Sequence, residues 1–366
     1  MNYKETLYFI AKCLTISSTK QNRVEIELSL KQMDLDWDSI VKISTAHYVF
    51  PALYCNLKRA DFLKYLPKDL VSYMEYITNL NRKRNSQIIQ QAHKLNSYLL
   101  ANNITPIFLK GTGNLLADLY DDIAERMVGD IDFILSKEDY PKAIAILREF
   151  GYSEVNKLEN FSLYYFRHYR RLQKEDNIAA IEIHSELISI IKYTNEFNYN
   201  FIVKDSQVIK GFRVLSYANK LNLSIIANQI NDSGFYYKTI ALRNAYDVFL
   251  LSKKTNAKNA VNKLDKLSHP LNCFLAACYE IFNKLDSLQY DNTKKTTSYL
   301  KFFNSHFTSP IKMIRKSSNI PRRILIFFYR FMKIKAYRVW LFRKLSDKKW
   351  RKLKLIQLGF KRCYYS

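Results

Sequence analysis

Residues 129–135 read GDIDFIL, and the two acids set into this apolar run constrain the chain more than any other feature. Side chains alternate faces along a strand, so Asp130 and Asp132 project to one side while Ile131, Phe133 and Leu135 enter a core. Two like charges held this close repel unless a cation lies between them. A divalent metal is the simplest such partner, and paired aspartates on Mg²⁺ are how polymerase-like sites clamp nucleotide phosphates. A hairpin turn or a solvated strand edge also carries D-x-D, so the pair alone leaves both readings open.

The flanks sharpen the choice. Upstream, ITPIFLKGTGNLL predicts a strand from Ile104 to Leu109, a glycine break at Gly111 to Gly113, and a helix running towards Tyr120. A strand turning through glycine into a helix presents free N–H groups and the positive end of the helix dipole, a natural phosphate seat. Lys110 and the Thr112 hydroxyl fall at that turn, although an ordinary strand-to-helix turn would look the same. Downstream, NIAAIEIHSEL predicts a strand from Ile178 to His184, with Ile181 and Ile183 inward and Glu182 and His184 on the other face. Paired beside the aspartate strand, Glu182 completes a three-carboxylate cluster able to hold two metals roughly 3.5–4 Å apart. An acid flanked by isoleucines is costly to bury unpaired. His184 reads instead as a satisfied, partly buried imidazole.

The order KGTG, Tyr120, Arg126, GDIDFIL, a helix ending in FGY (Phe150 to Tyr152), then IEIHSEL resembles the uncharacterised bacterial nucleotidyltransferase family of the DNA polymerase β-like superfamily. Similar arrangements occur in nucleotidyltransferase toxins of abortive-infection systems. The resemblance extends to AHYVFPALY near residue 50 and to the helical stretch with Arg243 and Asp247, and is most specific in the central third. It implies that Asp130 and Asp132 bind Mg²⁺ and the triphosphate, and that Glu182 binds a second Mg²⁺ and helps deprotonate the acceptor hydroxyl. It also implies that Lys110, Gly111, Thr112 and Gly113 cradle phosphate oxygens, and that Arg126 contacts a phosphate or braces the acids by a bidentate pair. One departure is the seventeen residues (113 to 129) between Thr112 and Asp130, longer than the superfamily signature, which reads as a longer helix. A second is Thr where the signature has Ser.

Only seven glycines and seven prolines in 366 residues favour long helices over a turn-rich β-protein. Five cysteines (Cys13, Cys55, Cys273, Cys278, Cys363) without C-x-x-C spacing indicate neither a disulfide framework nor a zinc site, which suits a reducing cytoplasm. The opening MNYKETLYFIAKCL carries Glu5 and no small-residue cleavage site, so no signal peptide is expected. Nowhere do about 18 apolar residues run together as a transmembrane helix requires.

The expected fold is α+β, a small mixed β-sheet core flanked by N- and C-terminal helical regions. Its parts are a helical bundle over 1–82 with His47 structural, the α/β core over 83–200, a helical domain over 201–310, and a tail over 311–366. The core's entry helix carries Ile88, Ile89, Ala92, Leu95 and Leu99 on one stripe. Ser136 and Asp139 predict a capping box for a helix that Gly151 ends, and FSLYYFRHY supplies a further strand. Ser216 predicts the cap of one helix, and a second is expected from Tyr236 to about Lys254. On it Arg243 and Asp247, four apart, predict an intrahelical salt bridge, with lining of the substrate cleft as the alternative.

The tail holds eighteen Lys and Arg against Asp347 alone, so it carries +17 of the net +25 and leaves +8 for the other 310 residues. Ile324, Phe327, Phe328, Phe331, Ile334, Leu341, Phe342 and Leu345 recur largely at three- and four-residue steps between cations, with Trp340 and Trp350 beside them. This pattern fits an anionic membrane surface at the inner face of the membrane, an RNA backbone, or packing on the protein's own body. The functional expectation is a metal-dependent transfer of NMP from an NTP to an acceptor hydroxyl on a glycan or lipid-linked intermediate, RNA or protein. The alternative is a non-catalytic relative that binds nucleotide, RNA or membrane as an adaptor.

Overall fold

In the computed structural model, residues 1–32, 35–155 and 167–305 are described, together with short stretches between 328 and 351. Residues 1–156 and 167–307 form one compact unit, and 157–166 with 308–366 form another. In the second unit the Arg338 guanidinium donates to the Phe331 and Met332 carbonyls, and Phe331 and Phe342 pack ring against ring. Of the basic amphipathic pattern, Ile324, Phe327, Ile334, Trp340 and Trp350 lie outside the described residues.

The first unit opens with four helices: α1 (Tyr3–Cys13), α2 (Lys20–Lys31), α3 (Trp37–Ala46) and α4 (Phe50–Arg59). Asn2 and Glu5 close α1 with a reciprocal capping box, Thr19 and Asp36 cap α2 and α3, and Pro51 sits at the start of α4 where no N–H is needed. His47, at the end of α3, accepts from the Leu242 N–H through Nδ1 and meets the Tyr3 hydroxyl through Nε2. Both ring nitrogens are therefore occupied in packing the bundle.

Pro67 starts α5 (Lys68–Ala101), a single 34-residue helix. The division expected at residue 82 falls inside it, because nothing between Lys68 and Ala101 breaks the helical run. The predicted stripe points as its period demands: Ile88, Ala92, Leu95 and Leu99 are fully buried, while Ile89 sits at the margin.

Against α5 lies a seven-stranded mixed sheet of β1 (Ile107–Phe108), β2 (Asp130–Ile134), β3 (Ser153–Glu154), β4 (Leu172–Gln173), β5 (Ala180–His184), β6 (Gln207–Ile209) and β7 (Phe212–Val214). The strand order is β3-β4-β5-β2-β1-β7-β6, with β2 parallel to β5 and antiparallel to β1. Phe108, Phe133 and Phe212 pack together on one face, and His93 of α5 closes on Phe212. Ile131, Phe133, Ile181 and Ile183 are wholly buried. Each contributes about 1.5–3 kcal/mol to holding the sheet together. The fold is thus the expected α+β architecture of a mixed sheet with helices on either side in sequence.

The connections differ from expectation in three places. The helix after β1, α6 (Lys110–Leu116), has only seven residues, because Asp118 turns left-handed (φ 48°) just beyond it. The long spacing to Asp130 is therefore not a longer helix but a turn-rich connector holding a 3₁₀ turn at Ile123–Glu125. Next, α7 (Asp139–Glu149) ends before Gly151 as predicted, but the capping box is half formed: Ser136 Oγ accepts from the Asp139 N–H, while the residue at the N-cap is Glu138, which makes no side-chain cap. Residues 161–166 of the predicted FSLYYFRHY strand lie outside the described residues, whereas Tyr169 donates its N–H to the Ile183 carbonyl.

A short α8 (Tyr199–Val203) precedes the β6–β7 hairpin. Ser216 caps α9 (Tyr217–Ile226), which passes into a π-helical turn at Ala227–Asn231. The helix expected from Tyr236 to about Lys254 is two, α10 (Gly234–Tyr237) and α11 (Leu242–Ser252), because Lys238 adopts a left-handed backbone. The unit closes with α12 (Ala257–Asn262), α13 (Asp265–Ile281) and α14 (Lys294–Ser305). Among the described residues no helix is long and apolar enough to cross a membrane. Cys13, Cys55, Cys273 and Cys278 are free and buried, and Cys363 lies outside the described residues.

Candidate active site

Strand register brings the acids together. β2 and β5 pair in parallel with Asp130 opposite Ala180, Asp132 opposite Glu182 and Ile134 opposite His184. Asp130, Asp132 and Glu182 therefore share one face, as the strand period requires. Neither Asp132 nor Glu182 is more than 8% exposed, while Asp130 sits nearer the rim.

Lys110 closes the cluster from the side. The Leu109 N–H bonds the Asp132 carbonyl, and the chain then turns left-handed at Lys110 (φ 49°), a strained conformation for a side-chain-bearing residue. The turn aims Lys110 Nζ at Asp132 Oδ1 (2.6 Å) and Glu182 Oε2 (3.7 Å). From the segment before β4, Arg171 donates through Nε to Glu182 Oε1 and through Nη2 to Asp130 Oδ2, both at 2.8 Å.

His184 lies beneath, with Nε2 at 2.8 Å from Asp132 Oδ1. Facing a carboxylate oxygen, Nε2 carries the proton, and the deprotonated Nδ1 is buried without a partner among the described residues. Burial lowers the His184 pKa to about 4 despite the pull of Asp132, so the ring is neutral at pH 7. Burial would raise the Asp132 pKa, but the Lys110 ammonium and the His184 hydrogen bond outweigh it and hold the carboxyl well below the carboxylate range. Asp130 moves the other way, raised first by burial and then by the Glu182 charge, with Arg171 opposing. Two carboxylates in one cluster are thus pushed apart in acidity.

The ligand atoms of Asp132, Glu182 and His184 all lie within 4.8 Å of one another, a separation one cation can bridge. Among the described residues, hydrogen bonds to the pair of aspartates use Asp130 Oδ2 and Asp132 Oδ1, so Asp130 Oδ1 and Asp132 Oδ2 remain as oxygen donors. Oxygen donors of this kind can hold a hard divalent cation.

A family model described as uncharacterised nucleotidyltransferase matches residues 33–282. The chain belongs to this family. The matched stretch of this nucleotidyltransferase contains every element that builds the cluster. A crystal structure of a candidate nucleotidyltransferase from H. pylori is also similar, with 13% identity, a TM-score of 0.30, and coverage of 63% of this chain and 92% of that one. No curated protein matches.

The remaining predicted residues of this nucleotidyltransferase lie beside the acids without pointing at them. Thr112 is buried, and its hydroxyl donates to the Asp130 carbonyl, tying α6 to β2. Gly113 is where the Phe108 carbonyl passes, since a Cβ there would stand 2.6 Å from that oxygen. Gly111 likewise packs against Val128 and the Arg126 guanidinium. Arg126 is buried and neither braces the acids nor faces solvent. Its Nε contacts both Asp247 oxygens at 3.1 and 3.2 Å, and Tyr120 donates to the same carboxylate. The predicted Arg243–Asp247 bridge is accordingly replaced by Arg126–Asp247, because Asp247 faces the connector rather than its own helix surface.

Arg243 instead lies over the Tyr48 ring, its Nε buried without a partner among the described residues. Nearby Asp232 has its pKa raised by burial against the fields of Arg167, Arg243 and Lys110. Asp232 directly follows the π-helical turn, whose Asn231 amide is bonded to the loop after β5.

Sequence reasoning missed Arg171 altogether and set His184 aside. The signal for Arg171 was present in RHYRR, residues 167–171, a dense cationic stretch ahead of an acidic strand, and that for His184 in its place on the acidic face of IEIHSEL.

Proposed function

We propose that this nucleotidyltransferase moves a nucleoside monophosphate from an NTP to an acceptor hydroxyl, with Asp130, Asp132 and Glu182 as the residues that hold Mg²⁺. One observation carries the reading: the parallel register that sets Asp132 against Glu182 with Asp130 on the same face, in a chain of this family. When bound, divalent ions neutralise the triphosphate and acidify the acceptor hydroxyl. Lys110 keeps Asp132 ionised and adds positive charge beside the phosphates. His184 fixes the Asp132 carboxylate from beneath.

In the transfer, the acceptor oxygen bonds the α-phosphorus, the bond from that phosphorus to the bridging oxygen breaks, and pyrophosphate leaves with the electron pair. The acceptor proton passes to Glu182, whose Oε2 has its basic neighbours among the described residues at 3.7 Å or beyond. Positioning and charge neutralisation supply most of the rate. Gly111, Gly113 and Thr112 act by setting the tight α6–β2 junction that aims Lys110, and Arg126 by anchoring the connector that delivers β2.

The acceptor belongs to one of three classes: a glycan or lipid-linked intermediate, RNA, or protein. The basic segment 311–366 is the part suited to an anionic membrane surface or an RNA backbone. Incubation with each α-labelled NTP and Mg²⁺ in cell extract tests the whole reading. Label should enter one class with the parent protein and none with the Asp130→Ala, Asp132→Ala variant. Nucleotide binding without any transfer by the parent would favour a non-catalytic adaptor.

A further inference from the structure

Three converging carboxylates need counter-charge, and two basic residues supply it from different settings. Lys110 comes from the start of a buried helix and reaches mainly Asp132. Arg171 reaches the other two acids, and its side chain is 54% exposed. Its backbone is held, because the Val155 N–H bonds the Arg171 carbonyl and the adjacent Leu172 pairs with Ile181. The neighbours are also anchored, with Arg170 and Tyr169 both bonded to Glu154. The Arg171 side chain, more exposed than Lys110 or His168 beside the same acids, has room to move.

Its present position is informative. Asp130 and Glu182 stand on adjacent strands, offset by two residues in register, and the guanidinium fork spans the gap with one donor on each. It thus takes up two of the three acids assigned above to the metal. A monovalent, solvent-screened fork is weaker than a divalent ion bound directly to oxygen. Once displaced, the guanidinium remains tethered beside Asp130, and its planar donors match phosphate oxygens.

Resting on the metal-dependent reading above, we propose that Arg171 is a two-position residue. Without metal it bridges Asp130 and Glu182 as an internal counter-ion. With the metal–nucleotide complex bound it turns to the triphosphate. The two positions have opposite consequences for binding, which a purely structural arginine would not produce.

The test uses the full chain and equilibrium binding rather than turnover. Mn²⁺ alone is titrated by electron paramagnetic resonance, and α,β-methylene nucleoside triphosphates in saturating Mn²⁺ by calorimetry. Arg171→Ala should bind Mn²⁺ alone about fivefold more tightly, the upper range for an exposed ion pair. It should bind the metal–nucleotide about tenfold more weakly, for loss of a charge-assisted phosphate contact. Arg171→Lys, which keeps the charge but not the fork, should also tighten Mn²⁺ while retaining more nucleotide affinity. It carries the test if the alanine variant does not fold.

Unchanged or weaker Mn²⁺ binding in the folded variants overturns the counter-ion role, and unchanged nucleotide affinity overturns the triphosphate role. If the parent binds both ligands and Asp132→Ala abolishes Mn²⁺ binding while Arg171 variants behave as the parent, this inference alone fails. If the parent binds neither, the metal-dependent reading falls with it.

Discussion

His184 shows what one buried side chain does to both site and stability. Its Nε2–H holds Asp132 from the side away from solvent, the role that outer partners of metal ligands commonly play. His184→Gln should therefore cost about 10–100-fold in Mn²⁺ affinity and transfer rate, with circular dichroism unchanged. The same burial makes stability pH-dependent. His184 and His47 both have pKa values of about 4 in the folded protein, against an unperturbed 6.5. Between these limits unfolding takes up protons, so the folded state loses stability as pH falls through that window and regains it as pH rises. Each histidine contributes up to about 1.4 kcal/mol per pH unit. Thermal melts across the window should show a steeper fall for the parent than for a His47→Gln, His184→Gln double variant. Asp132, whose pKa is depressed, adds stability above the ordinary carboxylate range and loses it progressively as pH falls below that range, whereas the raised carboxyls of Asp130 and Glu125 act in the opposite sense.

At the scale of elements, the polar face of α5 decides where the acids sit. Asn81 and Asn85 donate to the Ala124, Ile123 and Arg126 carbonyls, so the connector ahead of β2 has its backbone satisfied by a helix. Arg84 donates to the Val128, Gly129 and Ile178 carbonyls, linking the leads into β2 and β5. Gln91 pairs its amide with both the N–H and the carbonyl of Ala179. From the other side, Arg59 and Tyr246 hold Glu125, and Asp247 holds Arg126 and Tyr120. Asn85→Ala should destabilise by about 1–3 kcal/mol in urea unfolding, since it strips a buried donor from two carbonyls. Gly113→Ala should cost about 1–3 kcal/mol, because its methyl group meets the Phe108 backbone rather than a side chain that could give way. In both variants nucleotide affinity should fall with the site's geometry. The asparagines were invisible as clamps in the sequence, where polar residues on a long helix look like an ordinary solvated face.

For the whole molecule, the division that matters separates the folded unit ending at residue 307 from the basic segment beyond it. The charge follows the same division, with +17 of +25 in residues 311–366. Charge of that density acts on partners through long-range, salt-screened attraction rather than through fold. A chain truncated after Phe307 should keep its circular dichroism and Mn²⁺–nucleotide affinity, while label transfer to an anionic or membrane-bound acceptor falls. Loss of nucleotide affinity on truncation would place part of the nucleotide site in the tail. Vesicle sedimentation and RNA gel shifts with the full chain then separate the lipid and RNA readings by the ligand that is retained.

The sequence by itself determined which side chains face one another along each strand, because that depends only on local period. GDIDFIL and IEIHSEL could each be read for one apolar and one acidic face, and Ser216 for the helix it caps. Tertiary structure alone decided the rest, because those outcomes depend on contacts between residues far apart in the chain. Asp247 is matched to Arg126 across 121 residues rather than to Arg243 four away, and Thr112 is turned into the α6–β2 junction rather than towards the cleft. Arg171 meets Asp130 and Glu182 only because β4 lies beside β5. Side-chain alternation is short-range and therefore legible, whereas the pairing of buried charges follows from which surfaces the folded chain leaves opposite one another.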